Sequence, residues 1–238
     1  LLRLSGGDGR KLLNIFELVI NASQSDHVII TNEMVLKLVQ QNTVLYDKTG
    51  EQHYDIVSAF IKSIRGSDPN AAVYWLARMI EGGEDVKFIA RRMLILASED
   101  IGNANPTAFL MSYNTFQAVS IIGYPESRII LSQCAVYLAT SPKSNASYLA
   151  IGNAQKVVKQ TGDLPVPIHL RNAPTKLMKE LGYGEEYKYA HDYTTNFAEQ
   201  EFLPDAIKNT TFYVPGNNTR ENATKEFLKN RWKNKYGY

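Results

Sequence analysis

Residues 52–106 read QHYDIVSAFIKSIRGSDPNAAVYWLARMIEGGEDVKFIARRMLILASEDIGNANP, and their spacing decides the fold class. Ile56, Val57, Phe60, Ile61 and Ile64 recur at helical intervals, which gathers them on one face, and the stripe stops at Gly66. Asp68 then stands where an N-cap belongs, with Pro69 in the first turn behind it. Ala72, Trp75, Leu76, Met79 and Ile80 make the next stripe, which ends at Gly82 and Gly83. Glu84 and Asp85 open a third helix, at the end where acids favour the positive pole of the peptide dipoles. It carries Val86, Ile89, Ala90, Met93, Leu94 and Ala97, with Phe88, Ile95 and Leu96 on other faces. A helix apolar on several sides is predicted to be central. Helices joined by turns this short run antiparallel to one another.

The same period continues outward in both directions. Leu12, Leu13, Phe16 and Ile20 share a face behind Asp8, an acid placed to cap after Gly6 and Gly7. Thr31 is placed to cap a short helix carrying Val35, Leu38 and Val39. Met34 stands where a capping box needs Glu or Gln, so the box is absent. On the other side, Asn105 and Pro106 begin a helix through Phe109, Tyr113, Phe116 and Val119 to Gly123. Pro125 introduces residues 129–138, apolar nearly all round, and Ser141 and Pro142 end them. A further helix spans about 144–160 and closes at Gly162. The alternating period of a strand reaches only a few residues, at 210–214. The expectation is an all-α helical bundle.

After Gly162 the texture changes. Pro165, Pro167 and Pro174 punctuate a stretch with one short helical candidate at 175–181, followed by an irregular segment rich in Tyr and Asn up to residue 218. A polar helix is expected over about 219–235. Arg220, Lys225, Lys229, Arg231, Lys233 and Lys235 there face only Glu221 and Glu226, an excess of four positive charges.

The whole chain has 238 residues, 44% hydrophobic and 21% charged, enough for one substantial core and unlike a disordered or disulfide-dense protein. With 26 Lys and Arg against 24 Asp and Glu, the net charge of +2 carries no general nucleic-acid signal, so any such surface must be local. Cys134 alone cannot form an intramolecular disulfide and fits a reducing cytosol; within the apolar run 129–139 it reads as a small core residue. No run approaches the roughly 20 apolar residues that span a bilayer. The opening LLRLSGGDGRKLLNIFE has no Met and no signal-peptide layout, and it reads as a chain entered partway through a helical domain.

Three groups of residues carry candidate chemistry. Arg10 follows the turn Gly6-Gly7-Asp8-Gly9 and sits in the first turn of a helix, where a guanidinium can reach an anion held by a neighbouring domain. Arg91 and Arg92 share a helix with Glu99 and Asp100. Adjacent helical carboxylates point about 100° apart, which favours a structural or interface role over catalysis. Basic residues interleaved with aromatics form the third group. Lys229, Arg231 and Lys233 lie beside Trp232, Tyr236 and Tyr238, and Lys143, His169, Arg171, Lys176 and Lys179 surround the Pro-rich loop. Such mixtures contact phosphates and stack on bases. The plainer alternative for the terminal helix is that its aromatics dock on the body. His27, His53, His169 and His191 show no metal-ligand spacing, and no nucleophile motif is present, so no catalytic or metal residue is assigned.

The run GGDGRKLLNIFE resembles the sensor 2 segment of clamp-loader-type AAA+ ATPases. YWLARMIEGGEDVKFIARRMLILASEDIGNANP (residues 74–106) is similar to the replication-associated recombination protein A family, also called MgsA, with its eukaryotic relative the Werner-helicase-interacting ATPase. QCAVYLATSPKSNASYLAI (133–151), LPVPIHLRNAPTKLMKELGYG (164–184) and YKYAHDY (187–193) extend the resemblance over nearly the whole chain. It implies that residues 1–44 finish the lid of an AAA+ ATPase and that 45–238 form the family's C-terminal oligomerisation domain, a helical collar like that of clamp loaders. It implies a homo-oligomer, a tetramer, whose parent acts with ATP and Mg at stalled replication forks in repair and recombination. That parent would be cytoplasmic and nucleoid-associated. The family's link to forks and to single-stranded or gapped DNA makes Lys143, Arg171, Lys176, Lys229, Arg231 and Lys233 candidate contacts; the rival readings are a DNA-binding module whose oligomerisation is secondary and a docking platform for single-strand-binding protein or polymerase components. No membrane partner is implied. Arg10 would meet the terminal phosphate of the nucleotide. No G-x-x-x-x-G-K-[ST] loop and no acidic strand for magnesium occur in the chain, so the resemblance places the ATPase core upstream of Leu1 and leaves this stretch without a cofactor of its own.

Overall fold

The computed structural model describes residues 9–21, 29–42 and 51–238. Its helices are α1 Gly9–Asn21, α2 Asn32–Asn42, α3 Glu51–Arg65, α4 Pro69–Glu81, α5 Val86–Leu96, α6 Thr107–Ile122, α7 Ser127–Thr140, α8 Ala146–Thr161, α9 Lys176–Glu180 and α10 Thr219–Trp232. No strand occurs among the described residues, and 210–214 is extended without a ladder. The all-α expectation holds.

The caps form where short-range chemistry placed them. Asp68 accepts the Ala71 N–H at 2.9 Å and Asp85 the Lys87 N–H at 3.0 Å, each satisfying a donor that the first turn leaves open. Thr31 accepts the Met34 N–H at 3.2 Å and starts α2. The Asp8 cap and the Gly6-Gly7 turn lie outside the described residues, as do the side chains of Leu38 and Val39.

Helices α3 to α7 build the core, and α7 is its hub, packing against α3, α4, α5 and α6. Its Leu131, Cys134, Ala135, Leu138 and Ala139 are fully buried; the small members of that set let neighbouring helices close in. Phe60 and Ile64 of α3, Leu76 and Met79 of α4, and Ile89, Met93 and Leu96 of α5 fill the rest. Burial of each large apolar side chain contributes about 1.5–3 kcal/mol. The central place expected for α5 is thus shared with α7. Cys134 lies in this core 3.8 Å from Ser112 Oγ; burial pushes its thiol up, and hydrogen bonds to Thr115 and Ser112 only partly offset that.

The N-terminal helices differ from expectation in one respect. Of the α1 side chains, Val19 is buried, while Leu13, Phe16 and Ile20 from the expected stripe are exposed. Helix α1 packs on α2, whose Val35 is also buried, so Val19 marks the face that finds a partner.

Candidate subunit-contact and nucleic-acid surfaces

The segment after α5 was expected to stay helical to residue 101. Instead it widens into a π turn, Ala97–Ile101, followed by a 3-10 turn, Gly102–Ala104. The Gly102 N–H reaches the Ala97 carbonyl, five residues back, and a π turn of this kind redirects side chains away from the regular helix positions. Asp100 is thereby aimed at α3. Arg65 Nε donates to Asp100 Oδ1 at 2.6 Å, and a terminal Arg65 nitrogen stands 3.5 Å from Glu99. Both acids therefore have a structural partner, and it is Arg65, not the arginines of their own helix. Arg91 is exposed, and the buried Nε of Arg92 has no acceptor. The Asp100 hydrogen bond, against the cost of partial burial, raises the Arg65 pKa.

Ser144, in the loop between α7 and α8, gathers three parts of the chain at this turn. Its N–H donates to the Asp100 carbonyl at 2.8 Å. Its hydroxyl accepts the Ala146 N–H at 3.3 Å, at the start of α8, and hydrogen-bonds the Glu221 carboxylate of α10. Its carbonyl sits so close to Gly102 that a Cβ there would stand 3.1 Å away, on a backbone at φ +48° that L side chains rarely adopt. Asn105 Nδ2 donates to Tyr137 of α7 and to Ser141 just past its end, at 3.0 and 3.1 Å.

Glu221 has no exposed surface. Its carboxylate accepts from Tyr213 at 3.1 Å and Asn218 Nδ2 at 2.6 Å, and from the Gly216 N–H. Burial alone would raise its pKa, but these donors and Ser144 outweigh burial and hold the carboxyl below the usual range. Asn218 and Glu221 also form a reciprocal helix start: the Glu221 N–H donates to Asn218 Oδ1 at 3.0 Å. That pattern, Asn three places before Glu, is legible in the sequence, and the composition-based reading counted Glu221 only as a charge.

Lys143 is half-buried, with its ammonium engaged by the chain. Its ammonium donates to the carbonyls of Leu138, Ala139 and Ser141 and to Ser67 Oγ, at 3.1, 2.9, 2.6 and 3.1 Å. It closes the C-terminal end of α7, where a cation complements the helix dipole, and these four acceptors compete with the phosphate contact expected of it. Burial lowers its pKa despite the pull of Asp100. Arg171 is tied within its own loop. It donates to the Val166 carbonyl at 2.7 Å and to the Tyr183 hydroxyl at 3.1 Å, with the guanidinium 5.1 Å from that ring. His169 bonds the Glu201 carbonyl at 2.7 Å. Lys143 and Arg171 share no partner, while Lys176 and Lys179 are exposed on α9.

On α10, Lys225 and Lys229 are exposed one turn apart. Arg231 lies 3.5 Å over the Phe227 ring, and exposed Lys233 stands 4.0 Å from Glu199. Trp232 packs edge-on against Phe197 and Tyr236, with centroids 5.1 and 5.2 Å apart. Lys235 pairs with Glu201 at 3.0 Å and lies over Trp232 and Tyr236. The docked-aromatic alternative describes Trp232 and Tyr236, which are committed to packing with Lys235, while Lys225, Lys229 and Lys233 remain exposed. Arg10 occupies the first turn of α1, and its side chain lies outside the described part of the structure.

Among the described residues no group of three or more His, Cys, Asp or Glu side chains could hold a metal ion, and no helix is long and apolar enough to cross a membrane. Between the π turn, α6 and α8 opens a groove of about 400 Å³, with Ala97, Ser98, Pro106, Phe109, Leu110 and Ser147 on its walls.

Comparison with known proteins places this architecture. Residues 66–232 match the family described as MgsA AAA+ ATPase C terminal, and residues 1–65 match AAA C-terminal domain. Replication-associated recombination protein A of Coxiella burnetii is 40% identical over 96% of this chain and 52% of its own length. The Escherichia coli K12 protein of that name is 41% identical over 94% of this chain and 51% of its own length. ATPase WRNIP1 of Dictyostelium discoideum is 37% identical over 90% of this chain and 26% of its own length. The chain spans about half the length of these bacterial relatives. It belongs to the MgsA family of AAA+ ATPases and carries that family's C-terminal region.

Proposed function

We propose that this chain is the lid-completing and subunit-joining part of an ATPase that works on DNA during replication-linked recombination and repair. The observation that carries the reading is the family match over residues 66–232, in relatives named for replication-associated recombination. In this reading residues 1–44 complete the lid and 45–238 form the oligomerisation collar. The packing supports a division there: α3 joins the core with α4 and α7, while α1 packs on α2. In this reading ATP and magnesium are held by the ATPase head rather than by this stretch, in whose sequence no G-x-x-x-x-G-K-[ST] loop occurs. Arg10 would supply positive charge from the lid to the terminal phosphate held by an upstream core. The collar, proposed to be tetrameric, would set the spacing of the ATPase heads. Multi-angle light scattering across concentration tests this: a mass above 26.8 kDa that falls on dilution is expected, and a monomer throughout refutes it.

A second reading, contact with single-stranded or gapped DNA, is favoured by the exposed lysines of α10 and α9. Lys229 and Lys233, with Lys225 and Lys176, offer phosphate contacts without aromatic stacking, so binding should be electrostatic and strongly salt-dependent. Alanine at Lys229, Arg231 and Lys233 together should weaken anisotropy titrations of a labelled single strand at low salt; unchanged affinity removes the patch. Docking of single-strand-binding protein would tolerate that triple change.

A further inference from the structure

Two neighbouring residues of the loop between α7 and α8 join distant parts of the chain. Lys143 donates to Ser67 Oγ at 3.1 Å, in the turn that follows α3, and the Ser144 N–H donates to the Asp100 carbonyl at 2.8 Å. The Asp100 carboxylate in turn holds Arg65, the last residue of α3, at 2.6 Å. On its other side Ser144 hydrogen-bonds the Glu221 carboxylate in the first turn of α10. The two groups converge on one point, since a Cβ on Gly216 would stand 2.7 Å from Glu221 Oε2 and 3.0 Å from Ser144 Oγ. A continuous series of polar contacts therefore runs from α10 through Ser144 and Asp100 to the end of α3. Arg65 closes the AAA C-terminal region of the chain and Trp232, at the end of α10, closes its MgsA region, so the series links the two.

Helix α10 is the element of this series with two states open to it. At 14 residues it is marginal as an isolated helix in water. Glu221 alone of its residues is buried, so it is held by its ends: the Asn218–Glu221 start against Ser144, and the Trp232 packing. Lys225 and Lys229 lie one turn apart on one face, with exposed Lys233 just past the helix end. These cations line up only while the helix is formed. In an open chain each phosphate contact would also have to order its own stretch of backbone. A single strand laid along the row therefore binds docked α10 better than open α10, and shifts the population toward docking. Docking holds Glu221 against Ser144, Ser144 holds the Asp100 carbonyl, and the Asp100 side chain is thereby kept on Arg65. Outside its own tail α10 meets the core chiefly at 102–104, the turn that follows Asp100, so its packing bears on the same junction.

We infer that contact of single-stranded DNA with α10 is transmitted through Ser144 and Asp100 to Arg65 at the end of α3, with Ser144 as the coupling residue. This rests on the DNA reading of α10 and deepens it by naming where in the chain that contact is felt. Linkage makes the effect reciprocal: loosening Arg65 must loosen α10. Hydrogen exchange on the whole chain tests both directions. Arg65→Ala should speed exchange across Thr219–Trp232 about fivefold. Lys62→Ala, which removes an exposed cation three residues earlier on α3, should leave α10 unchanged. In Ser144→Ala, α10 should already exchange faster, and Arg65→Ala should add nothing to it. Asp100→Asn keeps the side-chain shape and should act in the same direction as Arg65→Ala, so a poorly folded Arg65 variant does not end the test. An oligothymidine strand added at low salt should slow exchange in α10 and also at 97–104; in Ser144→Ala it should slow α10 alone. Unchanged α10 exchange in both Arg65→Ala and Asp100→Asn, or the same increment with and without Ser144, overturns the path. A strand that protects α10 but not 97–104 in the unaltered chain overturns the transmission and leaves the DNA reading standing. A strand that protects neither removes that reading and this inference with it.

Discussion

Replacing Glu221 by Ala should release the C-terminal helix while leaving the core folded. The carboxylate takes hydrogen bonds from Tyr213, Asn218, the Gly216 N–H and Ser144 in a site with no exposed surface. Hydrogen bonds to a charged acceptor are each worth about 1.5–3 kcal/mol. Two effects offset part of that sum. The variant no longer carries the desolvation cost of a buried carboxylate. Tyr213, Asn218 and Ser144 are themselves only half-buried, so water can satisfy them in part. A net loss of about 3 kcal/mol is expected, or about 100-fold in the opening equilibrium. Because α10 meets the core mainly at the turn 102–104, the loss should appear as local opening. Hydrogen exchange read by mass spectrometry tests it. Peptides from Thr219–Trp232 should lose protection about 100-fold, and peptides from Ser127–Thr140 should keep theirs. Protection of α10 within threefold of the unaltered chain would refute the latch, and parallel loss in α7 would refute its independence from the core.

Gly216→Ala tests the same latch by crowding, since a Cβ would stand 2.7 Å from Glu221 Oε2 and 3.0 Å from Ser144 Oγ; it should open α10 by about 1–2 kcal/mol and add little to Glu221→Ala, an additive double variant counting against the shared site. The tail should also loosen in acid. Burial raises both Glu221 and Glu201, but hydrogen bonds lower each to a net value below the ordinary 4.5, with Leu203, Lys235 and Phe202 acting on Glu201. A carboxyl lowered on folding contributes stability in full above its unfolded pKa and loses it as pH falls through the folded one. Near-ultraviolet dichroism of the Trp232 cluster should therefore fade below about pH 4.5, with a weaker dependence in Glu221→Gln. Arg65→Ala leaves Asp100 buried without its partner, but Arg65 itself is half-exposed, so a thermal-unfolding loss of about 1–2 kcal/mol is expected, against none if the pair is idle. Phe60→Ala, in the centre of the core, should cost about 3–5 kcal/mol in one cooperative transition.

Local chemistry was legible in the sequence wherever a few neighbouring residues sufficed. Helix starts at Thr31 and Asp68 depend on hydrogen bonds spanning three residues, and the stripes of α3, α4 and α5 depend only on a 3.6-residue period. The family resemblance was legible for the same reason: its motifs are contiguous. The candidate site was legible only in part. Lys143 reads as a surface cation until the end of α7 and Ser67 are placed around it. Val19, outside the expected stripe, is buried in α1, a helix that packs on α2, while Leu13, Phe16 and Ile20 of that stripe are exposed.

Residue order along the chain thus established an all-α protein, the starts of its capped helices and its kinship. Tertiary packing alone decided that α7 is the hub, that Arg65 holds the turn after α5, and that Ser144 joins that turn to Glu221. It also decided that α6, as apolar as any core helix, keeps one side open to solvent. A helix's period reveals that it has an apolar face, but burial depends on which distant segment arrives to cover that face, and that is a property of the folded chain.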